Sequence, residues 1–204
     1  MTLNLAKTAL GLGLILLSAG APLTARAGAP TPTAGAAVVD GDHSEWNLAT
    51  DFFSDMFRAG KPSKPIESAV YLRYDCRTET LYALVLAQDG VPAVMVSGTA
   101  WIAIDAQNNK FVTDGSGDDG VPPDFAWIDP GFDGDPTHAR GYEASFHLWP
   151  GTYAIIVHLD VFDAGDLQTS GTPGFPGTGP SLVLACSPTA AEHATWSRIK
   201  TAYR

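Results

Sequence analysis

A chain of 204 residues with 45% hydrophobic content can bury the core of one domain, and its 21 glycines and 15 prolines favour many turns over long helices. The formal net charge of −10 excludes nucleic acid and anionic lipid surfaces as partners, because both would repel it. No repeat or long low-complexity tract is present.

Residues 1–27 hold Lys7, an apolar run from Ala9 to Leu17 and the closing triplet Ala25-Arg26-Ala27. This is the pattern of a secretory signal with an Ala-x-Ala cleavage site, and the apolar run is too short to span a bilayer. Cleavage removes Lys7 and Arg26 and no acids, which moves the net charge from −10 to −12. The expectation is a secreted protein, extracellular or periplasmic, with no membrane span after cleavage. Residues 28–37, rich in Pro, Thr and Ala, read as a flexible leader.

A β domain is expected over residues 38–187. It opens with a short strand at Val38, a turn on Asp40-Gly41 and an acid-aromatic pair, Glu45-Trp46. Ile66 to Tyr74 and Leu81 to Gln88 read as a hairpin turning over Asp75 to Thr80. Pro92 to Val96, Ala100 to Asp105, Phe111 to Thr113 and Phe125 to Ile128 read as further strands, divided by Gly-rich acidic turns.

Between Gly141 and Asp163 the alternation is clearest. Tyr142, Ala144, Phe146 and Leu148 interleave with Glu143, Ser145, His147 and Trp149, and a second β-rich run follows from Tyr153 to Val161. Closing the pair at Pro150-Gly151 predicts a hairpin with Trp149 opposite Thr152, His147 opposite Ala154, Ser145 opposite Ile156 and Glu143 opposite His158. Its core face would be Tyr142, Phe146, Ile155, Val157 and Leu159. Glu143, His147 and His158 would share the other face, as a ligand set, an acid/base pair or an ordinary solvent-facing ion pair.

Thr169 to Pro180 reads as a Gly/Pro loop and Ser181 to Cys186 as the last strand. In the tail, 188–204, Thr189 and Glu192 have capping-box spacing, and Arg198, Lys200 and Arg204 sit where a helix C-terminus favours cations, so a short helix is expected. Seven or more short strands at this spacing indicate an antiparallel β-sandwich or barrel. The two cysteines, Cys76 and Cys186, predict one disulfide in an exported chain, and they are too few for a cysteine metal site.

Asp105, Asn108, Asp114, Asp118 and Asp119 offer hard oxygen ligands in one Gly-rich segment, a candidate calcium site without EF-hand spacing. The alternative is a solvated acidic loop. Trp127, between acidic turns, and Trp149, beside Pro150-Gly151, are the candidate platforms for a sugar ring, whereas Trp46 and Trp101 read as core. No nucleophile elbow, zinc-helix motif or phosphate loop occurs, so no catalytic activity is expected.

Val39-Asp40-Gly41 with Glu45-Trp46, then Ala69 to Asp75 with Leu81 to Val85, then Trp101 to Asp105, then Gly141-Tyr142-Glu143-Ala144 resemble, in order and spacing, the family 9 carbohydrate-binding-module-like (DOMON-like) superfamily. The resemblance covers about Val38 to Asp160. It implies a jelly-roll-like antiparallel sandwich that in relatives binds glycans, often with structural calcium, or in another branch a b-type haem. The function expected is a secreted, non-catalytic module for a polysaccharide or cell-surface glycan. The alternatives are a structural or adhesive surface domain, or a haem domain using Met56 or Met95 with His147 or His158; no haem attachment motif is present.

Overall fold

The computed structural model describes residues 31–105 and 110–186, and the helix expected within 188–204 and the signal pattern within 1–27 lie outside them. Among the described residues all regular structure is β, and no helix is long and apolar enough to cross a membrane. The strands are β1 (Thr33–Ala34), β2 (Phe52–Arg58), β3 (Ile66–Asp75), β4 (Thr80–Ala87), β5 (Ala93–Val94), β6 (Ala100–Ile104) and β7 (Lys110–Thr113). They continue with β8 (Asp124–Ile128), β9 (His138–Ala139), β10 (Gly141–His147), β11 (Gly151–Asp163), β12 (Asp166–Gly171) and β13 (Ser181–Leu184).

The strands do not divide into two sheets. One path of antiparallel neighbours runs β7-β6-β11-β12-β2-β3-β4-β10-β8, and its end strands β7 and β8 lie against each other, so the sheet nearly closes into a barrel. Closure leaves little exposed strand edge. The two-residue β1 adds to β3 in parallel.

Alternation sets the two faces. Val70 and Leu72 on β3, Leu81, Ala83 and Val85 on β4, Tyr142, Ala144 and Phe146 on β10, and Ile155, Val157, Leu159 and Val161 on β11 all enter one buried core. Each large apolar side chain buried there stabilises the fold by about 1.5–3 kcal/mol. On the outer wall a second cluster forms where residues 37–51 wrap β3, β4 and β10, with Trp46 against Phe52, Tyr71, Leu84 and Ile128.

The predicted 66–88 hairpin is present, with Asp75 opposite Thr80. The predicted 142–161 hairpin is not. β10 pairs with β4 on one side and β8 on the other, while β11 pairs with β6 and with β12 and β13. The link between them crosses the barrel: Leu148 turns into the core and donates its N–H to the Glu79 carbonyl oxygen (2.9 Å). Alternation had assigned the inward residues correctly, but it carries no information about which strand lies beside which.

β2 was not predicted from sequence, because Phe52-Phe53-Ser54-Asp55-Met56-Phe57 lacks a period of two. Both of its faces are covered, Phe53 and Met56 by the core and Phe52 by the outer cluster, and two register shifts break the alternation further. β12 falls partly in the expected Gly/Pro loop, and β1 lies inside the expected leader. The short strand expected at Val38 joins no ladder; the Val38 N–H donates to Glu45 Oε1 (3.0 Å). Cys76 and Cys186 form the expected disulfide, with Cα atoms 5.7 Å apart.

Candidate functional site

Glu143 points outward from β10, but the 37–51 wrap covers it and leaves it 1% exposed. Its Oε1 accepts the indole N–H of Trp46 (2.6 Å), and Oε2 accepts the backbone N–H groups of Gly41 (3.1 Å) and Asp40 (3.3 Å). Burial pushes the carboxyl up to about 7, against the pull of these donors toward the ionised form. Gly41 is required here, since it has φ of 83° and a Cβ would press on the Trp127 carbonyl oxygen. With both oxygens occupied, Glu143 holds the wrap on the wall and offers nothing to a ligand.

His158 also points outward, but from the opposite wall. The Tyr142 hydroxyl crosses the core to the carbonyl oxygens of His158 (3.1 Å) and Trp101 (3.2 Å), so the expected Glu143–His158 pair has the whole core between its members. The His158 ring is 7% exposed and forms a three-ring cluster with Trp101 (5.0 Å) and Phe175 (5.2 Å), which also meet each other (5.7 Å), under the loop 172–180. That loop lies close to β11, and at Gly179 a Cβ would collide with the Ile155 carbonyl oxygen. His158 Nε2 lies 3.4 Å from Asp160 Oδ1, and its Nδ1 has no hydrogen-bond partner among the described residues.

His147 is exposed at the end of β10, with Nδ1 3.5 Å from the Thr80 hydroxyl. It meets neither Glu143 nor His158. Met56 lies in the core and Met95 packs against it, whereas both histidines face away from that core. Neither methionine therefore shares a pocket with either histidine.

The two candidate platforms separate. Trp127 is half-buried, edge-on to Phe125 (5.2 Å) and Tyr142 (6.2 Å), and completes the core beneath β8. Trp149 is 68% exposed on the link between β10 and β11. Its carbonyl oxygen accepts the Tyr153 hydroxyl (2.9 Å), and the Leu148 carbonyl oxygen accepts that of Tyr74 (2.7 Å), so an open indole stands on a fixed backbone.

The acidic set is spread over the β6–β7 hairpin and the loop after it. Asp105 follows β6 at the turn and accepts the Ala154 N–H (2.8 Å). Asp114 follows β7 at the far end, where it accepts the N–H of Gly98 (3.0 Å) and the hydroxyl of Thr113 (2.9 Å). Five residues of ladder separate these ends, about 16 Å at ~3.3 Å per residue. One ion cannot bridge them. Asp118 is exposed, Asp119 accepts the Val121 N–H (3.0 Å), and Asn108 lies outside the described residues. Among the described residues no group of three or more His, Cys, Asp or Glu side chains is arranged to hold a metal ion.

At the rim opposite Trp149, a cleft of about 140 Å³ opens where the wrap meets the ends of β4 and β10, lined by His43, Gln88, Asp89, Val91, Phe132 and Arg140 among others. Sequence reasoning passed over these residues because they sit in turns with no spacing signature. The one available signal was Arg140, a lone cation just before β10 in a strongly acidic stretch. No known family matches the chain, and no curated protein or solved structure is similar to it.

Proposed function

We propose that this chain is an exported, non-catalytic binding module for a polysaccharide or cell-surface glycan, and that Trp149 supplies its sugar-stacking surface. The observation carrying this reading is the open Trp149 indole on a backbone pinned by Tyr153 and Tyr74. An aromatic face held in place costs little entropy when a pyranose ring settles on it. Export accords with the secretory pattern of residues 1–27 and with the disulfide. The absence of catalysis accords with Glu143 being fully engaged and with His147 and His158 lying apart. An adhesive surface domain would use the same exposed ring on a protein partner.

A glycan array followed by titration of the best ligand tests the reading. Binding is expected, and Trp149→Ala should weaken it at least tenfold, about 1.4 kcal/mol, with an unchanged melting temperature. If the intact protein retains no glycan, or Trp149→Ala binds as tightly as the parent, the sugar reading fails.

A further inference from the structure

The rim cleft places two opposite charges on adjacent strand ends without pairing them. The Ala87 N–H donates to the Arg140 carbonyl oxygen (2.9 Å), so the start of β10 lies beside the end of β4. Directly after Ala87, the turn Gln88–Val91 closes through the Val91 N–H to the Gln88 carbonyl oxygen (2.9 Å), with Gly90 at φ of 79°. It sets Asp89 on the cleft wall. The Arg140 guanidinium lies 4.4 Å over the Phe132 ring and uses Nε for Asp129 (3.1 Å). Among the described residues its terminal nitrogens, the Asp89 carboxylate and the Gln88 amide engage no other group.

We propose that this cleft binds a small zwitterion, an α-amino acid with a compact apolar side chain. The carboxylate would meet the terminal nitrogens of Arg140, whose planar fork suits two oxygens. The ammonium would meet Asp89 and the Gln88 side-chain oxygen, and the apolar side chain would lie on Val91 and Leu48. Charge decides against simpler ions: the chain is strongly acidic and Asp129 already offsets Arg140, so a plain anion meets net repulsion, whereas a zwitterion brings no net charge. This inference does not rest on the sugar reading, which concerns the other end of the barrel.

The test is calorimetric titration of the secreted protein with L-valine, with isobutyrate, isobutylamine and glucose as separate controls. Saturable binding of valine is expected, at least tenfold tighter than either half-molecule, and Asp89→Asn and Arg140→Gln should each weaken it at least tenfold. Arg140→Lys, which keeps the charge but loses the fork, should fall between. Trp149→Ala should leave it unchanged, so loss of one site is read separately from loss of the other. No saturable valine binding, isobutyrate or glucose binding as well as valine, or unaltered affinity in both Asp89→Asn and Arg140→Gln would each overturn the proposal.

Discussion

Glu143 and His158 are both ionisable, both point outward from the barrel and both are sealed by a segment laid over the wall, yet only Glu143 is itself a hydrogen-bond anchor of its cover. The 37–51 wrap is keyed to Glu143 by three directed N–H donors. The 172–180 loop is held by hydrogen bonds that bypass His158: the Thr172 N–H donates to the Val157 carbonyl oxygen (3.1 Å), the Ile155 N–H to that of Pro180 (3.1 Å) and the Gly174 N–H to that of Gly60 (3.0 Å), while the imidazole meets the loop only through the Phe175 ring. A cover fixed by hydrogen bonds to one carboxylate is specific, and fails if that group or its partner is removed. A cover fixed to the backbone around a side chain tolerates exchange of the ring beneath it.

The largest expected effect comes from breaking the first cover. Trp46→Ala should destabilise the protein by about 3–5 kcal/mol in urea titration, since it removes a buried indole and leaves Glu143 Oε1 without its donor. A loss below 1 kcal/mol would mean that the wrap does not depend on this key.

The next effect is in pH. Folding raises the Glu143 carboxyl from 4.5 to about 7, so between these values the native state holds a proton that the unfolded chain has released. Stability from this group is fully present below pH 4.5 and is lost as pH rises through 7, by at most about 3 kcal/mol. Melting temperature should therefore increase from pH 8 to pH 5, and Glu143→Gln should flatten that slope. Asp42, Asp133 and Asp135 act the other way. Hydrogen bonds from Ser44, His138 and Thr137 respectively hold their carboxyls below 3.8, so the stability they add is lost only as pH falls below that value.

The smallest effect sharpens the contrast. His158→Phe keeps a ring against Trp101 and Phe175 and removes an unpartnered nitrogen, at the cost of the 3.4 Å contact to Asp160. Stability at pH 7.5 should change by less than about 1 kcal/mol. A loss above 2 kcal/mol would show that His158 is held by its polar contacts after all.

These covers also mark where the sequence stopped being readable. Alternation correctly placed Tyr142, Phe146 and Val157 inside and Glu143 and His158 outside, and the turn at Asp75 to Thr80 fixed one hairpin. Two cysteines behind a secretory pattern are expected to pair, and they do. What local pattern could not supply was any contact between distant segments. Trp46 meets Glu143 across 97 residues, and β10 and β11, adjacent in sequence, turn to opposite walls. Outward was therefore read as exposed, which made Glu143 and His158 look like site residues. Trp149 was legible because a ring beside Pro150-Gly151 has few neighbours, while the Asp89 and Arg140 cleft exists only once two strand ends are side by side.

The disulfide has a mechanical consequence. Thr31, Pro32 and Ala34 line a small pocket with Cys76, Leu184 and Ala185, so the described chain enters and leaves the barrel at the same end, beside the bond. Tension applied between those two points would pass from residues 31–75 into Cys76, through the sulfur bridge to Cys186, and out. Residues 77–185, with most of the barrel wall and Trp149, lie inside the loop that the bond closes and could not be drawn out. Loaded between those two points, the protein would give first at the short β1–β3 pairing, with the loop closed by the bond still unextended.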